Sequence, residues 1–437
     1  MLGKVLVIAY YFPPMGLSGV QRTLKFVKYL PENNWEPIVL TTADPVYYAF
    51  DETLLNDING KEITVFRTPK DPTQIVRKVK SKKNDDLIAY PSRFKEKIRK
   101  AVSQTLFQPD SRIRWRKYAM DLGRQILRDY DIDIIYATAP PFTDFLVALE
   151  LAKEFKKPFV LDYRDLWLDN AYYYYTTPFH RSYAEKLETR VLNSAEKSIV
   201  TSRGMKEKLI KRYPFLSFHD VSIIPHGFDS EDFQGLAPAE REGDKFILTH
   251  CGLFPDDLTP EYFLRGVAQF LEKNPDAKRY LELRFVGLMR KKYFKLIKKL
   301  GLEENVKTLG YLPHRESLSH LIGSDVLWMM LPNDVATPSR LYEYIGSRKP
   351  IIICSPKGFV RQTALDSGAA QATEAKDVPA IAVAIENYFR LWLKNSLPKI
   401  PAEYSAKFDR KYLTTLLAKE LNTALSIETK SDASFNK

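Results

Sequence analysis

The 437-residue sequence is poor in cysteine, with only Cys251 and Cys354. Two cysteines build neither a disulfide framework nor a cysteine metal site, so each reads as a small buried hydrophobe in a reducing compartment, the cytoplasm. The six histidines are scattered and no two stand four apart, so no protein-held metal and no resident cofactor is expected. Long apolar runs are missing as well. Nothing approaches eighteen uninterrupted apolar residues, which excludes an ordinary membrane-spanning helix. The first apolar run, from Val5 to Phe12, stops on Pro13 and Pro14 without a small-residue cleavage site, so it reads as a first core strand rather than a signal peptide. No solenoid-length repeat and no low-complexity tract is present.

What remains is the balance of a folded protein: 45% hydrophobic and 27% charged residues. The length predicts two domains. Short β-branched runs alternate with longer helical patterns: VLVIAYYF, PIVLTT, IDIIYATA, PFVLDY, SIVTS and VSIIP, then FILTHCG, LELRFVG, VKTLGY, VLWMML and PIIICS. Strands apolar on both faces and separated by helices imply parallel sheets covered on both sides. The expected fold is therefore α/β, with two Rossmann-like doubly wound domains facing across a cleft. Turn formers and charges in PHGFDSEDFQGLAPAEREGDK mark a break. We place a first domain at 1–225, a linker at 226–245 and a second domain at 246–400. A helix at 401–425 is expected to pack back towards the first domain, and 426–437 to fray.

The formal charge is +12, and the stretch from Lys70 to Lys100 holds eleven Lys/Arg against four Asp/Glu, a net +7. It reads in two ways: as a surface for a phosphate-rich partner such as anionic lipid, or as a solvated basic face. The tyrosines Tyr172 to Tyr175 likewise read either as an amphipathic rim for a lipid headgroup layer or a sugar, or as packing on a domain surface.

The stretch YYFPPMGLSGVQR, residues 10–22, ends the first strand with prolines and passes Gly16, Ser18 and Gly19 before a helix. Val20, Leu24, Val27 and Leu30 give that helix a buried stripe. A glycine loop leading into a helix N-terminus is either an anion site, made of free N–H groups and the positive dipole end, or a tight turn. It is neither the G-x-G-x-x-G fingerprint nor a P-loop.

These segments come in a telling order. YYFPP and SGVQR are followed by FQPDSRIRW (107–115), TAPPF (138–142), FVLDYRDLW (159–167) and IPHGFDSEDF (224–233). Then come NVKTLGYLPHRES, SDVLWMML and PSRLYEYIGSRKPIII. The set resembles the bacterial glycosyltransferases of family four, with the two-Rossmann architecture called GT-B. The resemblance implies a nucleotide-sugar donor, most commonly a UDP-sugar, held by the C-terminal domain. Glu343 matches the second glutamate of the family's E-x7-E motif and would take the ribose hydroxyls. Arg340 would face the diphosphate, with Ser339, Gly252, Leu312 and the loop residues Gly16, Ser18 and Gly19 completing the donor side. Two departures stand out. Val335, with Asp334 beside it, replaces the first glutamate, and HCGLFPDDLTP carries Asp256 and Asp257 where relatives have basic residues. Positive charge would then come from Arg340, with Arg265 as a second source.

On the acceptor side the resemblance points to Arg22, Arg164 and Asp165. Asp144 stands near the place where many relatives keep a histidine, so Arg340, Asp165 and Asp144 are the candidate catalytic groups. Asp162 and Asp165 also have a plainer reading, as caps of the next helix paired with Arg164. The implied activity is retaining transfer of a sugar to a glycan or lipid-linked acceptor, for cell-surface polysaccharide, lipopolysaccharide or glycoconjugate synthesis. The implied place is the cytoplasm, with peripheral contact to the inner membrane face. Two other classes stay open: a GT-B protein that binds or isomerises a nucleotide sugar, and a basic nucleic-acid-binding protein, though no nucleic-acid motif is present and no nucleic-acid partner is expected.

Overall fold

The computed structural model describes residues 3–16, 18–43, 50–61, 63–69, 107–169, 175, 177–254, 258–333 and 338–435. The basic stretch from Lys70 to Lys100, Tyr172 to Tyr174, Asp256, Asp257, Asp334 and Val335 lie outside the described residues. Among those described, the chain divides into two compact units: 3–69, 107–225 and 410–435 in the first, His226–Asp409 in the second.

The first unit carries seven strands: β1 (Gly3–Ile8), β2 (Trp35–Thr42), β3 (Thr64–Thr68), β4 (Ile134–Ala139), β5 (Phe159–Tyr163), β6 (Lys197–Val200) and β7 (Val221–Ile223). Their order is β3-β2-β1-β4-β5-β6-β7, all neighbours parallel. Alternation along β1 explains the two covered faces. Val5 and Val7 face a core shared with Leu24 and Val27 of the helix Ser18–Tyr29 and with Leu413, Leu417 and Leu421 of the helix Arg410–Phe435. Leu6 and Ile8 face the opposite core, with Ala119 of Trp115–Asp129 and Val147 and Leu151 of Thr143–Phe155.

The second unit carries β8 (Phe246–Cys251), β9 (Leu281–Val286), β10 (Val306–Gly310), β11 (Val326–Met330), β12 (Ile351–Cys354) and β13 (Ala370–Thr373). The order is β10-β9-β8-β11-β12-β13, again all parallel. One face packs on the helices Glu261–Lys273 and Val378–Leu393, through Phe263, Val267, Ile381 and Ile385. The other packs on Arg340–Ser347 and Phe359–Leu365, through Leu341, Ile345 and Val360.

Four sequence expectations are corrected. The first strand ends at Ile8, not Phe12: Ala9 still donates to Leu40, but Tyr10 N–H turns to a side chain, Asp144 Oδ2, at 2.9 Å. Strands β3 and β13 were not expected. Both lie at sheet edges and are short, and the half-covered β3 and the Ala-rich β13 lack a continuous apolar run. Residues 226–245, expected as a linker, pack within the second unit. Phe228 is 7% exposed against Gly346 and 5.8 Å from Phe233, and Arg241 grips Asp325 with bonds of 3.1 and 2.8 Å. Finally, a short helix, Ala402–Ala406, precedes the last helix, which starts at Arg410 and runs through 426–435 to Phe435, where fraying was expected. That stretch contains no glycine or proline to stop it.

Candidate functional site

In the second sheet the chain runs to opposite sides of β8, with β9 on one flank and β11 on the other. Such a switch point, at the carboxyl ends of the strands, is where open α/β sheets take ligands. Cys251 ends β8, and Gly252 follows with φ +147°, its N–H donating to Val286 at 2.6 Å. A β-carbon on Gly252 would run into the Arg340 guanidinium, and one on Gly287 (φ +130°) into the Gly252 carbonyl. Both glycines let backbone and cation approach where no side chain fits.

Arg340 opens the helix Arg340–Ser347, and Ser339 precedes it without a side-chain cap bond. Glu343 lies one turn on, on the same face as Arg340. Its Oε1 is 3.3 Å from His314 Nε2, while His314 Nδ1 lies 3.8 Å from Asp232 Oδ2. His314 opens its own helix just after β10, two residues past the half-buried Leu312. Tyr344 is the strut: its hydroxyl accepts from Cys251 N–H at 2.8 Å and donates to the Trp328 carbonyl at 3.3 Å. It thereby ties the helix that carries Arg340 and Glu343 to the ends of β8 and β11.

The groups beneath are kept neutral. Burial, reinforced by the Arg340 charge, holds His250 down at about 3. Its Nδ1 therefore donates to the Trp328 carbonyl at 3.1 Å, and its ring stacks on Phe254 at 4.4 Å. Burial pushes the Cys251 thiol up to about 11 even though Arg340 bonds to it. The residues beneath Arg340 are thus uncharged, and Arg340 and Glu343 carry the charge at this end of β8. Arg265, expected as a second cation, is instead paired with Glu261 on the outer surface at 2.8 Å.

The first unit has its own switch point between β1 and β4. Here the expected residues separate into buried struts and one half-buried acid. Arg22 is 1% exposed: it grips Asp162 with two bonds of 2.8 Å and donates to the carbonyls of Pro225 and Ile224. Its guanidinium offers no surface to an acceptor. Asp162 also accepts from Tyr136 and Thr138, and its carboxyl is held below the usual range by Arg22 and these bonds, against the effect of burial. Its partner is Arg22, not Arg164, and it caps no helix.

Arg164 is buried and donates to the carbonyls of Gly19 and Pro140, clamping the first turn of the Ser18–Tyr29 helix to the turn after β4. Asp144 is fully buried under Tyr10 N–H, and burial raises its carboxyl well above the ordinary range, with Asp110 adding to the rise. It faces the interior. Asp165 stays half-buried just past the carboxyl end of β5, raised by burial and partly offset by Arg164. Gly16 is buried in a loop whose neighbours are pinned: Pro14 accepts from Asp51 and Pro13 from Arg67.

The structure brings together Gly252, Ser339, Arg340, Glu343 and Leu312, and adds His314, Asp232 and Tyr344, which the sequence reading did not single out. His314 stands in a quoted segment, HRES at a helix start, but nothing in the spacing pairs it with Glu343, 29 residues away.

Comparison with known proteins follows this geometry. Residues 18–232 match the model of Glycosyltransferase Family 4. No curated protein sequence matches the chain. Among solved structures, a glycosyltransferase from Rickettsia africae is 15% identical, with TM-score 0.64, covering 97% of this chain and 98% of that one. Anabaena HepE, solved with UDP, is 14% identical, with TM-score 0.64 and coverage of 96% and 100%. A UDP-N-acetylglucosamine 2-epimerase from Listeria monocytogenes, so named provisionally, is 13% identical, with TM-score 0.56 and coverage of 98% and 97%. With a family-four match across residues 18–232 and two parallel α/β sheets like those of its GT-B neighbours, the chain is a family-four-like glycosyltransferase of the GT-B fold.

Proposed function

We propose that the chain moves a sugar from a nucleotide-diphosphate donor, a UDP-sugar, to a hydroxyl of a glycan or lipid-linked acceptor with retention of configuration. Its place is the synthesis of cell-surface polysaccharide or glycoconjugate at the inner face of the cytoplasmic membrane. The observation that carries the reading is the pairing of Arg340 and Glu343 on one helix turn beside Gly252, at the switch point of the second sheet. The UDP bound to Anabaena HepE supports the choice of nucleotide.

In this reading Glu343 accepts from the two ribose hydroxyls as a fork of charge-assisted bonds. Arg340 and the amides at the helix start meet the diphosphate. As the anomeric bond breaks through an oxocarbenium-like state, negative charge grows on the leaving phosphate, and a preorganised guanidinium over uncharged residues stabilises it. Retention by same-face attack lets that phosphate assist deprotonation of the acceptor, so a hydrolase-type carboxylate pair is not required. On the first unit Asp165 is the half-buried acid left to meet an acceptor. The epimerase neighbour and Val335 in place of the first glutamate favour a second reading, isomerisation of a nucleotide sugar.

The test is a thermal-shift and calorimetry panel of nucleoside diphosphates and their sugar conjugates, followed by donor turnover. UDP and one UDP-sugar are expected to bind. Glu343→Ala should weaken UDP about 10- to 100-fold, as loss of a charged hydrogen-bonding partner does. Arg340→Ala should cut donor turnover about 100-fold, the scale of losing one transition-state donor. Binding without cleavage or transfer, but with epimer formation, selects the second reading; unchanged UDP affinity in Glu343→Ala overturns the site.

A further inference from the structure

The helix Pro178–Leu192 of the first unit is amphipathic in an unusual sense. Its inner face is filled by Ala184, Glu188, Val191 and Leu192. Its outer face carries large aromatic rings: Phe179 is 86% exposed and Tyr183 is 53% exposed. Isolated exposed apolar residues need no explanation, but these two stand one turn apart. Lys186 and Arg190, both exposed, continue the row. At 3.6 residues per turn the four positions fall within about 60° of one another on the helix. Among the described residues neither Lys186 nor Arg190 takes part in an ion pair, although Glu185 is exposed beside the row. Below, Arg212 holds Asp169 at 2.8 Å and Arg181 approaches it at 4.0 Å, which anchors the start of this helix to the end of Arg203–Arg212.

We infer that this row is a docking surface for an anionic phospholipid membrane. Rings with an apolar body settle at the headgroup layer, and lysine and arginine beside them meet lipid phosphates. Each element is weak alone. A single exposed ring gains little, and one cation near an anionic surface raises partitioning only about fivefold. Rings and unpaired cations along one stripe of a helix, with the opposite stripe fixed in the core, add their contributions in a single orientation. A single-stranded nucleic acid would also use both rings and cations, by base stacking and phosphate contact, and the RNA arm of the experiment separates the two. The inference specifies the membrane contact suggested above and does not depend on the donor site.

The experiment uses the full chain and sedimentation with vesicles of phosphatidylcholine alone or mixed with phosphatidylglycerol. Binding is expected to the mixed vesicles only, and to weaken with salt. The double variant Phe179→Ser, Tyr183→Ser and the double variant Lys186→Glu, Arg190→Glu should each lower partitioning at least about tenfold, with unchanged circular dichroism, since all four side chains are exposed. A fluorophore on Phe179→Cys should shift to the blue on mixed vesicles; Cys251 and Cys354 are buried. Wild type that ignores anionic vesicles overturns the inference. So does binding that survives in the serine variant, which would place the contact elsewhere, on the basic stretch from Lys70 to Lys100. RNA binding in place of vesicle binding also overturns it.

Discussion

Glu188 is a carboxylic acid in the core, 1% exposed, and its Oε2 accepts from Tyr213 at 2.7 Å. Burial lifts it from 4.5 to about 7, while the tyrosine bonds and Arg212 pull the other way. The native state therefore keeps a proton that the unfolded chain releases near pH 4.5, and stability falls as pH rises between about 4.5 and 7. At 1.36 kcal/mol per unit the loss reaches about 3 kcal/mol. Denaturant titrations from pH 4.5 to 8 should show this slope in wild type, and Glu188→Gln should flatten it. A steeper fall in the variant would contradict the assignment. Asp144 and Asp165 shift in the same sense and Asp162 in the opposite one, so only the difference between wild type and variant isolates Glu188.

At the scale of elements, the proposed donor site depends on how the helix Arg340–Ser347 is held. Leu341 and Ile345 fix its inner face, and Tyr344 fixes its height against Cys251 and Trp328. Tyr344→Phe leaves the buried Cys251 N–H and one lone pair of the Trp328 carbonyl without this partner, a cost of about 1–3 kcal/mol. Lower thermal stability is expected together with weaker UDP binding, because Arg340 and Glu343 move with the helix. Calorimetry on the folded variant separates the two effects: full UDP affinity would show that the strut serves stability alone. The first-unit switch point is organised differently. There Arg22 and Arg164, read from sequence as ligand-facing, tie strand ends and loops together: Arg22 commits Nε and both Nη groups to Asp162 and two carbonyls, and Arg164 commits both Nη groups to the carbonyls of Gly19 and Pro140, which makes each a clamp.

On the scale of the whole molecule, the chain leaves the first unit at Pro225 and returns to it at Arg410. The returning helix places Leu413, Leu417 and Leu421, each 0% exposed, on the core beside β1. Each buried leucine contributes about 1.5–3 kcal/mol, against a total stability of about 5–15 kcal/mol for a domain. A chain ending at Asp409 should therefore lose the first unit's cooperative melting, read by calorimetry, or become insoluble. Wild-type melting in the truncated chain would show that the helix is dispensable. Among the described residues no helix is long and apolar enough to cross a membrane.

Sequence alone determined the α/β class, most of the strands and the helix that carries Arg340 and Glu343. Those follow from local pattern: β-branched runs apolar on both faces, helical spacing of Val20, Leu24 and Val27, and an ordered set of motifs. It did not determine which charged residues face a ligand. Arg22, Asp144 and Arg164 look alike in a string whether they point into solvent or into the core, and the outcome rests on partners 24 to 203 residues away. The pairing of His314 with Glu343, the strut of Tyr344 and the proton on Glu188 are likewise products of tertiary structure. A carboxylate's charge and a guanidinium's reach are fixed by what surrounds them, and only the folded chain assembles those surroundings.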